Sequence, residues 1–153
     1  MRKRILLLVM GLLLMASTAF AMTGRAIVTD FDDYTNARSG PGVQYSIISR
    51  VYYGNVFNLG EYASGWYRIY LHGNGSAWVS EKMLGFGTEV NRSGYINADN
   101  SNARSGPSSS SRLRGVFSQG DNVYVELAYD GWCYVNTHGS ERVWVYGDYV
   151  SYY

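Results

Sequence analysis

The residues best suited to ligand recognition in this chain are four tryptophans: Trp66, Trp78, Trp132 and Trp144. An indole can stack on a sugar ring or on the apolar part of a peptide, because it offers a large flat face with an N–H at its edge. The alternation of the surrounding residues predicts that all four indoles lie on the strand face opposite to the aliphatic side chains, side by side on adjacent strands. They are the first candidates for a binding surface, although each could instead pack under a loop or against another part of the chain.

Two arginines accompany the tryptophans, Arg38 and Arg104, and two interpretations of them are open. A guanidinium beside an indole could hold the carboxylate of a peptide through two parallel hydrogen bonds. It could equally stack on the indole and hold a loop by donating to backbone carbonyls. The Ser-Gly-Pro turn sequence that follows each arginine favours the second, structural interpretation.

No set of residues in the sequence predicts catalysis. Cys133 is the only cysteine, and alternation places it on the aliphatic face of its strand, where a thiol is buried and unreactive. His138 follows five residues later, out of line for a Cys–His pair, and His72 at the equivalent turn has no second ligand at metal spacing. The paired acids Asp32 and Asp33 lie in one loop, and no distant partner repeats them. We predict a protein that is not an enzyme and uses no metal and no cofactor.

The candidate residues recur because the chain contains a duplicated unit. The hexapeptide Asn-Ala-Arg-Ser-Gly-Pro occupies residues 36–41 and again residues 102–107, an offset of 66. At the same offset a turn glycine, a Gly-Trp pair and a Trp-Val pair also repeat, at Gly54 and Gly120, Gly65-Trp66 and Gly131-Trp132, and Trp78-Val79 and Trp144-Val145. A self-match of this kind indicates two copies of one structural unit. We predict units over residues 22–84 and 94–153 that contact each other, because the polar, glycine-containing linker between them, residues 85–93, is short.

Each unit has the pattern of short strands separated by glycine turns. In the clearest strand, Val123, Val125 and Leu127 alternate with residues of the opposite face, as in a half-buried strand. Asp130-Gly131 then has the composition of a hairpin turn. Helical periodicity is absent after residue 22, so the predicted fold class is all-β, with two tandem small barrels.

The N-terminus is typical of a secretory signal peptide. A basic cluster at residues 2–4 precedes an apolar run, and Ala19 and Ala21 form a cleavage site of the A-x-A type. Residues 1–21 are therefore predicted to be cleaved, which would place the protein in the periplasm or outside the cell. The alternative is an uncleaved membrane anchor, but the apolar run is shorter than the ~20 residues that a spanning helix needs.

Charge argues against two classes of partner. The sequence holds 13 Lys and Arg against 12 Asp and Glu, and removing the three basic residues at positions 2–4 leaves 10 against 12, a net charge of −2. A nearly neutral surface does not attract nucleic acid or anionic lipid.

Since a single cysteine cannot form an intramolecular disulfide, packing of the 15 Tyr and 4 Trp must stabilise these small units.

The repeated pattern resembles the bacterial SH3-like (SH3b) domain. The similarity rests on the hexapeptide, the Gly-Asn or Gly-Asp turn, the Gly-Trp and Trp-Val pairs and a terminal Leu or Val, and it covers residues 25–84 and 94–151. It implies a small SH3-like barrel of five or six strands in each unit, in secreted or periplasmic proteins where this domain often directs a cell-wall enzyme to its target. It also implies binding of peptidoglycan or other wall components. The segment Asp148-Tyr149-Val150 looks like the groove-lining end of eukaryotic SH3 domains, which adds Tyr149 to the candidates, whereas the first unit has Lys82-Met83-Leu84 there.

Two functions remain open. The first is a secreted, non-enzymatic protein that recognises peptidoglycan or cell-wall peptides through Trp-floored grooves. The second is a protein–protein interaction module, an adaptor or inhibitor that binds an envelope protein or acts outside the cell. The predicted partners exclude nucleic acid, and no membrane span is expected after signal cleavage. The candidate ligand-binding residues are Trp66, Trp78, Trp132, Trp144, Tyr149, Arg38 and Arg104.

Overall fold

The structure, a computed structural model, describes residues 20–21, 24–32, 34–137, 139 and 141–153. Most of the predicted signal peptide, residues 1–19, lies outside this range, and residues 20–21 form a short strand. Within the described part of the chain, no helix is both long enough and apolar enough to cross a membrane.

The described residues form two antiparallel sheets, one from each unit. The first unit contains strands β1 Phe20–Ala21, β2 Arg25–Val28, β3 Thr35–Arg38, β4 Ile47–Val51, β5 Val56–Ala63, β6 Trp66–Tyr70, β7 Ser76–Ser80 and β8 Leu84–Gly85, with a 3₁₀ turn at Glu81–Met83. The second contains β9 Thr88–Ile96, β10 Ser101–Arg104, β11 Leu113–Phe117, β12 Asn122–Tyr129, β13 Trp132–Asn136, β14 Arg142–Tyr146 and β15 Val150–Tyr152, with a 3₁₀ turn at Gly147–Tyr149. The first sheet has the order β4-β3-β7-β6-β5-β2-β8, with β1 also paired to β5, and the second has the matching order β11-β10-β14-β13-β12-β9-β15. The predicted all-β tandem is confirmed.

Each sheet wraps around its own apolar core. In the first unit the core takes side chains from β2 through β8, among them Ala37, Ile69 and Val79. In the second unit the equivalent core includes Val125 and Val135. Because successive residues of a strand point to opposite faces, the small aliphatic residues predicted to face inward do so in both copies.

The predicted linker is largely a strand. Strand β9 begins at Thr88 and pairs with β12, so only residues 86 and 87 separate the last strand of the first unit from the first strand of the second. The residues at the start of β9 are polar and mostly exposed on both faces. Their sequence therefore lacks the alternation of apolar and polar residues that is typical of a half-buried strand. Their strand conformation comes from pairing with β12, since β propensity depends on the neighbouring strand more than on the residues themselves.

A third apolar cluster joins the two units, which confirms that they are in contact. Ile27 of the first unit packs with Leu127 and Trp144 of the second, and all three are fully buried. The pairing register of β12 shifts between Val125 and Leu127, and such a bulge redirects the residues beyond it. Leu127 therefore packs in this interface cluster, whereas strict alternation would have placed it in the core of its own barrel.

Charged groups flank the interface cluster. Glu126 is 8% exposed, and its carboxylate accepts from Arg25 Nη1 of the first unit at 2.6 Å and from Arg142 Nε at 2.7 Å. Arg25 also forms an ion pair with Glu89 on β9. The hydrogen bond to Glu89 raises the pKa of the Arg25 guanidinium, and the same bond lowers the pKa of the Glu89 carboxyl. The two units are thus linked by buried apolar area and by a paired carboxylate.

Gly54 lies at a close backbone contact between the units. Its φ is +83°, and a Cβ added there would overlap Gly106 Cα and lie 2.5 Å from the Ser105 carbonyl oxygen. The duplicated Gly120 has a similar φ of +93° but has no neighbour within 4 Å of an added Cβ. The repeat thus provides two glycines of the same backbone conformation, only one of which contacts the other unit.

We expect Gly54→Ala to destabilise the protein more than Gly120→Ala does. Both substitutions place an alanine in the left-handed region at a cost of roughly 1–2 kcal/mol. Only Gly54→Ala adds overlap with the second unit, which is expected to cost about 1–3 kcal/mol more. Urea unfolding of the two variants measures the difference. Equal losses would show that the contact at Gly54 does not form in solution.

Candidate ligand-binding clefts

Two open clefts lie at equivalent places in the two units. The first cleft has a volume of about 360 Å³ and is lined by Asp30, Asp32, Tyr34, Thr35, Asn36, Arg38, Val43, Trp66, Ser80 and Met83. The second cleft has a volume of about 520 Å³ and is lined by Phe31, Tyr53, Asn102, Arg104, Pro107, Ser108, Ser109, Asp130, Trp132, Tyr146 and Tyr149. Six of the ten positions that line the first cleft recur at the offset of 66 in the lining of the second, so the clefts are duplicated features of the fold.

Hairpin turns position the two cleft tryptophans. Trp66 and Trp132 are each the first residue of a strand, directly after a two-residue turn. Both turn residues have positive φ: +52° and +82° at Ser64-Gly65, and +48° and +78° at Asp130-Gly131. A turn of this kind matches the twist of the strands that it joins and sets their register. The predicted hairpin at Asp130-Gly131 is confirmed, and it places Trp132 in the lining of the second cleft.

The repeated arginines hold the loops beside the clefts. Arg38 Nη1 donates to the Val43 carbonyl at 3.0 Å and to the Tyr45 carbonyl at 2.8 Å. Arg104 Nη1 donates to the Ser111 carbonyl at 2.8 Å. These bonds fit the structural interpretation of both arginines. Because each guanidinium also lines its cleft, contact with a ligand remains open as a proposal.

Aromatic rings form one wall of the second cleft. The Trp132 and Tyr146 rings lie edge to face with centroids 5.6 Å apart, and Tyr146 and Tyr149 repeat this arrangement at 5.8 Å. In the first cleft the positions of the two tyrosines are taken by Ser80 and Met83. The second cleft is therefore the more aromatic of the two.

Comparison with known proteins assigns the family. The sequence profile described as "Bacterial SH3 domain" matches residues 33–85 and again residues 91–151. The chain belongs to the bacterial SH3 domain family. Each match lies within one of the two sheets, so each unit is one SH3 domain of a tandem pair.

One curated relative aligns over most of the tandem pair. YrvJ of Bacillus subtilis (strain 168), which carries the name of a candidate N-acetylmuramoyl-L-alanine amidase, is 28% identical over 142 residues. The alignment covers 88% of this chain but only 27% of YrvJ, so the SH3 pair spans about a quarter of that relative.

Solved structures give weaker similarities. NlpC2 from Trichomonas vaginalis has a TM-score of 0.38 and 16% identity, over 88% of this chain and 49% of that one. NlpC1 from the same organism has a TM-score of 0.36 and 15% identity, over 94% of this chain and 50% of that one. At these scores the similarities carry no argument about function.

The structure corrects the expectation for Trp144. Its indole is fully buried between the two SH3 domains, and its Nε1 donates to the Gly54 carbonyl of the first domain at 2.9 Å. Strand alternation did place Trp144 on the outer face of its own barrel, but the first domain covers that face. Trp144 cannot contact a ligand in this arrangement, so we remove it from the candidate ligand-binding residues.

The other tryptophans are not paired as expected. Trp78 is half-buried on β7 and lines neither cleft. In the strand register Trp132 lies opposite Tyr146, and Trp144 lies opposite Tyr134, with ring centroids 5.0 Å apart in the second pair. Each indole of the second domain is thus next to a tyrosine, and the two tryptophans do not lie side by side.

The clefts also contain residues that the sequence did not single out. Phe31 and Tyr53 belong to the first domain yet line the second cleft. Asn36 and Asn102 each begin the repeated hexapeptide and each line a cleft, so the repeat itself was the signal that could have identified them. No such signal existed for Phe31 and Tyr53, because their role depends on how the domains are docked.

Of the groups considered for catalysis, Cys133 and His72 line neither cleft, whereas Asp32 lines the first cleft. Cys133 is buried, as predicted, and this burial raises the pKa of its thiol, as expected for an unreactive cysteine. His72 is exposed, whereas His138 and Asp33 lie outside the described residues. Among the residues that are described, no cluster of three or more His, Cys, Asp or Glu could hold a metal ion.

Proposed function

We propose that this tandem SH3 protein is a secreted or periplasmic, non-enzymatic binding protein that recognises peptidoglycan or cell-wall peptides through its two clefts. The observation that carries the proposal is the duplicated cleft, which is lined by Trp66 in the first domain and by Trp132 in the second. Open clefts of a few hundred Å³ with aromatic walls and a few polar groups are the usual form of a small-ligand site.

The cell wall is the preferred target for two reasons. The aligned relative YrvJ is named for the N-acetylmuramoyl-L-alanine linkage, which joins sugar and peptide in peptidoglycan. The predicted signal peptide would bring the protein to the compartment that contains the wall. Membership of a fold family supports a function less strongly than the geometry of a site does, so the clefts remain the main support for the proposed function.

Sedimentation with purified sacculi tests the proposal. We expect the protein to pellet with sacculi and the double variant Trp66→Ala, Trp132→Ala to be retained about tenfold less, because truncating a central tryptophan commonly removes more than 1.4 kcal/mol of binding free energy. Tyr149→Ala tests the second cleft at lower risk to folding, since this ring is 40% exposed.

The control is Tyr124→Ala, which removes a tyrosine that is also 40% exposed but lines neither cleft. Circular dichroism of each variant checks that the fold is retained. Retention of the folded double variant at the level of the unsubstituted protein would rule out the clefts as the wall-binding site.

A protein–protein interaction module is the second candidate. One outermost strand of each sheet, β4 in the first and β11 in the second, carries exposed aliphatic side chains: Ile47 and Ile48, and Leu113 and Val116. An exposed edge strand can add a strand from another protein. Failure to pellet with sacculi, together with specific capture of an envelope protein that Ile48→Lys abolishes, would favour this function over wall binding.

A further inference from the structure

The second cleft is built by both domains, unlike the first. Phe31 lies in the loop between β2 and β3 of the first domain and is 78% exposed. One face of its ring stacks on Tyr53, with centroids 4.5 Å apart and an interplanar angle of 25°. An aromatic ring that is supported on one face and open on the other can still stack on a ligand.

Contacts between the domains fix this ring pair over the second cleft. The Tyr53 hydroxyl donates to the Pro107 carbonyl at 3.1 Å, and burial raises the pKa of this phenol. The Tyr53 ring lies against Gly106, where an added Cβ would approach Tyr53 Cδ1 to 2.7 Å. Tyr53 therefore packs on the hexapeptide of the second domain, and Phe31 in turn stacks on Tyr53.

The lining of the second cleft points to an uncharged ligand with flat faces. Five aromatic residues line it: Phe31, Tyr53, Trp132, Tyr146 and Tyr149. Its charged side chains, Arg104 and Asp130, have opposite signs, so the lining has no excess charge to balance an ionised group. In the first cleft, by contrast, Asp30 and Asp32 outnumber Arg38. The two clefts have therefore diverged in chemistry.

We propose that the second cleft binds a glycan segment, with Phe31 of the first domain and Trp132 of the second stacking on its sugar rings. The C–H groups on the face of a pyranose carry partial positive charge and are attracted to the negative face of an aromatic ring. The sugar hydroxyls and acetamido groups find donors and acceptors in the polar part of the lining, which includes Asn102, Ser108 and Ser109. A stem peptide, with its free carboxylates, fits this charge-balanced lining less well. The inference refines the proposed function, since N-acetylated sugars form the glycan strands of peptidoglycan.

Isothermal titration of the whole protein with a soluble tetramer of N-acetylglucosamine tests the inference. We expect Phe31→Ala to weaken binding about five- to tenfold and Phe31→Tyr to retain it, because tyrosine restores the stacking ring. Phe31→Ala carries little risk to folding, since the side chain is mostly exposed. The matched control is Tyr52→Ala, which removes an exposed aromatic ring from the same domain outside the second cleft and should leave binding unchanged.

The outcomes separate this inference from the proposed function. Binding of a free stem peptide but not of the tetrasaccharide, or equal tetrasaccharide affinity of Phe31→Ala and the unsubstituted protein, would overturn the composite glycan site while leaving sacculus binding intact. If the unsubstituted protein binds the tetrasaccharide but does not pellet with sacculi, the wall function alone would be overturned. Weaker tetrasaccharide binding by Phe31→Ala, with Tyr52→Ala unaffected, supports the site as described.

Discussion

Replacing Trp144 by alanine is expected to lower the free energy of unfolding by about 3–5 kcal/mol, the range for removing a buried tryptophan. The indole fills the apolar cluster between the domains with Ile27 and Leu127, and its N–H is bonded to the Gly54 carbonyl. Alanine would leave a cavity and an unpaired carbonyl at the same place. Urea unfolding followed by fluorescence measures the loss, and small-angle X-ray scattering reports whether the domains separate.

Trp78→Ala is the matched control, because Trp78 occupies the same repeat position in the first domain without being fully buried. Its replacement should cost clearly less than that of Trp144. Trp144→Phe should recover most of the packing while losing the hydrogen bond, at a cost of about 1 kcal/mol for that bond. If Trp144→Ala were no more destabilising than Trp78→Ala, the docked arrangement of the domains would not hold in solution.

Replacing Glu126 by glutamine is expected to cost about 2–5 kcal/mol, as for breaking one side of a buried charge pair at an interface. Glutamine keeps the shape of the side chain but removes the charge that balances Arg25 and Arg142. Arg25, whose side chain is 16% exposed, would then keep Glu89 as its remaining carboxylate partner, and the more exposed Arg142 would lose its partner. Urea unfolding at pH 7 measures the loss.

Glu141→Gln provides the control for this second prediction. Glu141 pairs with Arg114 at 2.6 Å, the same distance as the Glu126–Arg25 pair, but both side chains of the Glu141–Arg114 pair are well exposed. An exposed pair contributes about 0–1 kcal/mol. A loss at Glu126 no greater than that at Glu141 would mean that the interface carboxylate is solvated and does not link the domains.

Much of the fold was predictable from local patterns. Alternation identified the inward faces of the strands that carry Ile69, Val79 and Val135, and it identified Cys133 as a buried thiol. Asp130-Gly131 identified a hairpin because few residue pairs tolerate positive φ at two successive positions. The start of β9 was not predictable, since its polar residues become a strand only through pairing with β12.

The candidate site was predictable only in part. Trp66, Trp132, Tyr149, Arg38 and Arg104 do lie at clefts, because each is fixed by a turn, strand or loop of its own domain. Trp144 was expected to be open and is buried, while Phe31 and Tyr53 were not considered and line the larger cleft. All three differences arise where one domain covers or completes the other.

The sequence by itself determined the duplicated barrel, because strand periodicity and turn glycines act over a few residues and repeat intact at the offset of 66. Only the tertiary structure decided which equivalent positions remain alike. Trp78 and Trp144 share a repeat position, yet docking buries the second, and Gly54 and Gly120 share a conformation, yet only the first meets another backbone. The physical reason is that burial at an interface depends on contacts between residues far apart in the chain, which a pattern within one repeat does not encode.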